Sequence, residues 1–148
     1  MTDDRHPRRA IDKPPPADLA AERAILADVL TYGDDSPVAV WSLTPADFYD
    51  PRHAEAWSAI LRARLYWEPT TIAAVPDRLL TYLAGTAMQP ALGPHATAAA
   101  VAHIRRHAAT RRAADAAHRL LADLYAGALD AARHNLATLT ASMEAVDA

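Results

Sequence analysis

Apolar residues recur at helical spacing along most of this chain, and nowhere do they alternate with polar ones as a half-buried strand requires. Leu19, Ile25, Leu26, Val29 and Leu30 mark the inward face of a first helix, which Asp18 can cap and which runs to Thr31 before Gly33 ends it. Glu22, Arg23 and Asp28 fall on its other faces and are expected to stay in water. Asp34, Asp35 and Ser36 make a turn, and Ser36-Pro37 starts a short helix carrying Val38, Val40 and Trp41 toward the next segment.

The stretch Leu43–Ile60 is the centre of the pattern. Thr44-Pro45 and Asp50-Pro51 are two cap-plus-proline helix starts, where the missing proline N–H costs nothing. Phe48 and Tyr49 lie between them, with Asp47 and His53 on either side. On the second helix Ala54, Trp57, Ile60, Leu61 and Leu65 form one apolar face, so a core is expected to condense here. Tyr66-Trp67-Glu68-Pro69 ends that helix, because the residue before a proline is pushed out of α geometry. Thr70 or Thr71 can cap a following helix with Ile72 and Val75 inside. Pro76 interrupts or restarts it, and Leu79, Leu80, Tyr82 and Leu83 complete its face before Gly85 and a Pro90–Pro94 loop.

In the final third, Thr97 can cap a helix reaching Tyr125, with Val101, Ile104, Ala108, Leu120, Leu121 and Leu124 along it. At about 1.5 Å per residue it extends about 40 Å, more than a compact small domain needs. Gly127 supplies a turn. Leu129, Ala132, Leu136, Leu139, Met143 and Val146 then recur at alternating intervals of three and four, the seam of a helix packed in coiled-coil fashion. The expected fold is all-α: a small globular helical head of four to five helices over 17–95, then a long antiparallel helical hairpin over 96–148. Residues 1–16, with four prolines and Arg5, Arg8 and Arg9, are too polar to bury a core and are expected to form a disordered tail.

Composition narrows the function. A chain of 148 residues suits one domain, although its 51% hydrophobic content overstates the core. About a quarter of the residues are Ala, which favours helix but buries little area. The net charge of -3 gives no global attraction to nucleic acid. Zero cysteines exclude disulfides and thiolate metal sites, which fits the cytoplasm. No run approaches the roughly 20 apolar residues of a membrane span, and no signal-peptide pattern appears. The single lysine, Lys13, sits before the prolines, and no GxxxxGK[ST] loop exists to cradle a phosphate.

Three sets of polar residues have the types that could carry chemistry. His103 and His107, one helical turn apart, have metal-ligand spacing but no third or fourth ligand in sequence, so surface histidines are the better reading. Asp47, His53 and Glu55 form a possible acid/base group; a structural role is favoured, with Asp47 bonded to backbone at its turn and His53 packed on Phe48 and Tyr49. Arg105, Arg106, Arg111 and Arg112 form two basic pairs able to meet phosphate, though Asp115 and Asp123 share their helix. No catalytic, cofactor-binding or metal residue is assigned. The hairpin stands out instead: Leu120, Leu124, Leu129, Leu136, Leu139 and Met143 make a candidate partner surface, and Ala113, Ala116 and Ala117 allow close backbone approach.

Leu43, Asp47-Phe48-Tyr49, His53, Trp57 and Ile60 together resemble a motif of the N-terminal domain of DnaB-type replicative DNA helicases. Pro15-Pro16, Ala21-Glu22 and Ile25-Leu26 are similar to the opening of that domain, and Ile104, Arg106, Ala109 and Arg112 to its late helix. The matches run over about residues 15 to 145, which makes 17–146 one domain of this kind. The resemblance implies a helical head plus hairpin, with hairpins pairing to build a ring's collar, and it places the ATPase motor in a separate C-terminal domain. It departs near Gly85, where the family has a longer glycine-containing stretch.

The expected function is therefore a non-catalytic interaction and oligomerisation module related to replicative helicase. It would self-associate through the hairpin and engage helicase, primase or helicase loader. Two alternatives stay open: a small nucleic-acid-binding protein using the Arg pairs and basic tail, or an orphan self-associating scaffold. A monomeric bundle with the hairpin folded back on the head is the plain alternative to assembly.

Overall fold

Helix α1, Leu19–Tyr32, begins where the Asp18 carboxylate accepts the Ala21 N–H at 2.9 Å, and it ends at Gly33, whose φ of 54° favours glycine. A side chain at Gly33 would also crowd the Thr70 hydroxyl, 3.1 Å from an added Cβ. The computed structural model describes residues 17–70, 72–87 and 92–147; the expected tail over 1–16 and Thr71 lie outside that range. Short 3-10 turns at Gly33–Asp35, Val38–Ser42 and Pro45–Asp47 lead to α2, Pro51–Leu65. A further turn at Ile72–Ala74 precedes α3, Asp77–Ala87, and then come α4, Pro94–Tyr125, and α5, Leu129–Asp147. All regular structure among the described residues is helical.

Both cap-plus-proline starts form. At the first, the Thr44 N–H and hydroxyl each donate to Asp47 Oδ2, at 2.8 and 2.9 Å. At the second, Asp50 accepts the Arg52 N–H at 2.9 Å and launches α2. Trp57 is fully buried: its indole N–H donates to the Leu43 carbonyl at 3.0 Å, and its ring lies 5.8 Å from Trp41 and 5.5 Å from Phe48. Around it close Ile25, Leu26 and Val29 of α1, Ile60 of α2, Leu79 and Leu83 of α3, and Val101 and Ile104 of α4. The first turns of α4 therefore belong to the head's core, while its distal part pairs with α5 as a hairpin.

Several inward assignments are corrected. Leu19 and Ile72 are partly exposed, and Val38 and Leu65 face solvent, because each is the first or last residue of its element, where the neighbouring turn that would cover it is missing. Ala63 takes the buried place expected of Leu65. Thr97 does not cap α4. That helix starts at Pro94 behind Gly93, and Thr97 lies fully buried inside its first turns. Gly85 sits within α3. Gly127 does make the expected turn, at φ 71°.

Candidate assembly surface

The head is held by carboxylates that the sequence pattern assigned to water. Glu22 is 1% exposed. Its Oε1 accepts the Tyr49 N–H at 2.6 Å, and its Oε2 accepts the Asp50 N–H at 3.3 Å and faces His53 Nδ1 at 2.7 Å. His53 is buried as well, and its Nε2 meets the Tyr82 hydroxyl at 2.9 Å. With Glu22 as acceptor, Nδ1 carries the proton and Nε2 accepts from Tyr82. The ring stacks on Tyr82, 5.7 Å away, rather than on Phe48 and Tyr49 as expected. Three helices, α1, α2 and α3, are tied at this one point.

Asp28, also expected in water, is 1% exposed and ties α1 to the start of α4. It accepts the Leu92 N–H at 2.9 Å and the Thr97 hydroxyl at 3.0 Å, holding the residue that leads into α4 and the helix's first turn against α1. Asp47, Glu55 and His53 do not assemble into an acid/base group. Asp47 turns to Thr44 and Arg112, Glu55 pairs with Arg78, and His53 faces Glu22. Asp50 is pulled down to about 2, first by the hydrogen bonds from the Arg52 side chain.

The four candidate phosphate contacts separate into two kinds. Arg111 donates to the Asp47 carbonyl at 2.7 Å and lies over the Tyr49 ring, with burial pushing its guanidinium below its usual range. Arg112 reaches Asp47 Oδ1 at 3.2 Å. Arg105 and Arg106 point to solvent. His103 and His107 meet edge to face at 6.4 Å, and Asp18, unsuspected from the sequence, lies 3.4 Å from His103. Among the described residues no group of three or more side chains is arranged to hold a metal ion.

On the hairpin, the spacing of three and four in α5 separates into two rows seven residues apart. Ala132 is buried, with Leu139 and Val146 partly buried, in the row turned to α4. Leu129, Leu136 and Met143 form the other row and are 60%, 52% and 57% exposed. On α4, Leu120 is partly buried, whereas Leu121 and Leu124 are half exposed and Tyr125 stands in solvent near the turn. Ala113 and Ala117 are partly covered and Ala116 is buried. Asn135 donates to Asp123 at 2.6 Å between the two helices. One helix of the pair thus covers only half of the other's apolar stripe. No described helix is long and apolar enough to cross a membrane.

Residues 14–117 match the family described as the DnaB-like helicase N terminal domain. Over 77 residues the chain is 36% identical to the replicative DNA helicase DnaB of Leifsonia xyli subsp. xyli (strain CTCB07), covering 52% of this chain and 16% of that protein. The crystal structure of the N-terminal domain of DnaB helicase from Mycobacterium tuberculosis matches with a TM-score of 0.73 at 25% identity. That match covers 86% of this chain and 99% of that one.

Proposed function

The chain belongs to the family of DnaB-like helicase N-terminal domains, and from that premise we propose that it is a non-catalytic interaction and oligomerisation module of replicative helicase assembly. One observation carries the reading: the row Leu129, Leu136 and Met143 stays more than half exposed after the hairpin has closed. Covering the remaining area contributes about 1 kcal/mol per side chain, before association costs. A second hairpin is a matching cover, since it presents the same row. The helicase itself, a primase or a loader is the proposed partner beyond that. The chain would then pair with the helicase, recruit its partners, or occupy places in its ring. The cytoplasm is the proposed location.

Sedimentation of the chain beside its Leu136→Glu variant tests the pairing. The variant is expected to sediment at lower mass than the unchanged chain while keeping its helicity, because a charge enters the shared seam. Identical monomeric sedimentation of both would remove the reading. Mixing the chain with the host's replicative helicase, primase and loader and measuring complex mass tests the partners. Nucleic-acid binding is the weaker alternative, since Arg111 and Arg112 are engaged by Asp47. Affinity for single-stranded DNA that falls steeply with salt would favour it.

A further inference from the structure

Two helices of this chain end on the same left-handed cap and fill it with opposite residues. At the end of α4 the Ala128 N–H bonds to the Asp123 carbonyl at 2.8 Å and the Gly127 N–H to Leu124 at 3.2 Å, with Gly127 at φ 71°. At the end of α2 the Glu68 N–H bonds to Ala63 at 2.8 Å and the Trp67 N–H to Arg64 at 3.1 Å, with Trp67 at φ 59°. Glycine takes this position freely, whereas a residue with a Cβ is strained there. Trp67 is the one non-glycine residue at positive φ among those described. Its ring gains no burial in return: it is 96% exposed, beside Leu65 at 72%. Backbone strain that holds a large apolar ring in water points to cover supplied from outside.

The surroundings of the ring state what that cover must carry. Trp67 and Leu65 share a cleft with Leu61, Asp34 and Arg64, and Asp35 and Glu68 adjoin it in sequence. Asp34 is met by Arg64 at 3.5 Å, but Asp35 and Glu68 face no cation among the described residues. The inverse arrangement occurs where the end of α5 lies along α4. There a cleft of about 620 Å³ is lined by Ala102, Ala109, Ala145 and Val146 together with Arg105, Arg106 and Arg112. No carboxylate among the described residues, Glu144 included, lies within ion-pair distance of Arg105 or Arg106. Alanines leave room for a ring, and guanidinium groups suit both an indole face and carboxylates.

We propose that Trp67 of one copy seats in the Arg105–Arg106 cleft of a second copy, docking a head on the base of a neighbouring hairpin. Knob and cleft are different surfaces, so the contact is heterologous and each copy offers both halves. It uses none of the leucine row, so the hairpin pairing and this contact fail separately.

The test is sedimentation velocity over a concentration series at two salt concentrations, in the Leu136→Glu background so that hairpin pairing does not contribute. Self-association that weakens with salt is expected. Trp67→Gly should abolish it while leaving the melting temperature equal or higher, because the cap prefers glycine; a folded variant is thereby assured. Arg105→Glu/Arg106→Glu and Asp35→Arg/Glu68→Arg proteins should each fail alone, and their mixture should associate at least about 10-fold more tightly than either. Absence of self-association, association unchanged by Trp67→Gly, or a mixture no tighter than its components would overturn the proposal. So would binding of a single-stranded DNA oligonucleotide lost on Arg105→Glu/Arg106→Glu without any self-association, which would assign the cleft to nucleic acid.

Discussion

Glu22 and His53 meet at 2.7 Å with essentially no solvent on either side chain, joining α1 to α2 across 31 residues of sequence. The carboxylate is the acceptor for two backbone N–H groups as well, so it organises the turn before α2 as much as it orients the imidazole. The pair belongs to the architecture of the head, where it ties α1 to α2.

Glu22→Ala is expected to destabilise the head by about 3 kcal/mol, because it strands the Tyr49 and Asp50 N–H groups and His53 Nδ1–H in a buried place. Glu55→Ala, which removes only a more exposed partner of Arg78, should cost under about 1 kcal/mol. Urea midpoints of the two variants, read at equal slope, check the contrast.

Asp28→Ala should cost about 2 kcal/mol through the orphaned Leu92 N–H and Thr97 hydroxyl. Thr97→Val should cost less on its own. In the double variant the two losses should fall short of additivity by about 1 kcal/mol, since they share one hydrogen bond. A thermodynamic cycle from chemical denaturation measures that coupling.

Asp50 makes acid stability predictable in sign. Its folded value, about 2, lies below the ordinary 3.8, so its contribution is present above about pH 4 and is lost as pH falls toward 2. Asp50→Asn keeps a good helix cap but loses the charge pair with Arg52. The variant's stability should therefore fall less steeply between pH 4 and pH 2 than that of the unchanged chain, as followed by helical signal on acid titration.

Asp47→Ala should loosen the join between head and hairpin, because the side chain closes the Thr44 turn and receives Arg112. A loss of about 1–2 kcal/mol is expected. Hydrogen exchange should quicken at Phe48, whose N–H bonds to Pro45 across the turn. Unchanged exchange there would show that the turn holds without the carboxylate.

Local chemistry was legible in the sequence wherever a residue acts within one turn of its own backbone. Asp18, Gly33, Thr44-Pro45, Asp50-Pro51 and Gly127 each start or end an element where read. The family was legible too, from the residues Asp47 to Trp57 among others, and its model matches residues 14–117. Thr97 misled because a threonine near a helix start reads as a cap, yet Gly93 and Pro94 had already begun the helix.

Taken alone, the order of residues determined the all-helical class, most element boundaries and the presence of a hairpin, because capping and periodicity are properties of neighbouring residues. Tertiary structure decided which polar groups go inside and which apolar row stays out. Glu22 and Asp28 are buried only because donors arrive from 27 to 69 positions away, and no periodicity within α1 registers them. Likewise Leu136 and Leu139 look alike in the repeat, and only the placement of α4 turns one outward and the other in.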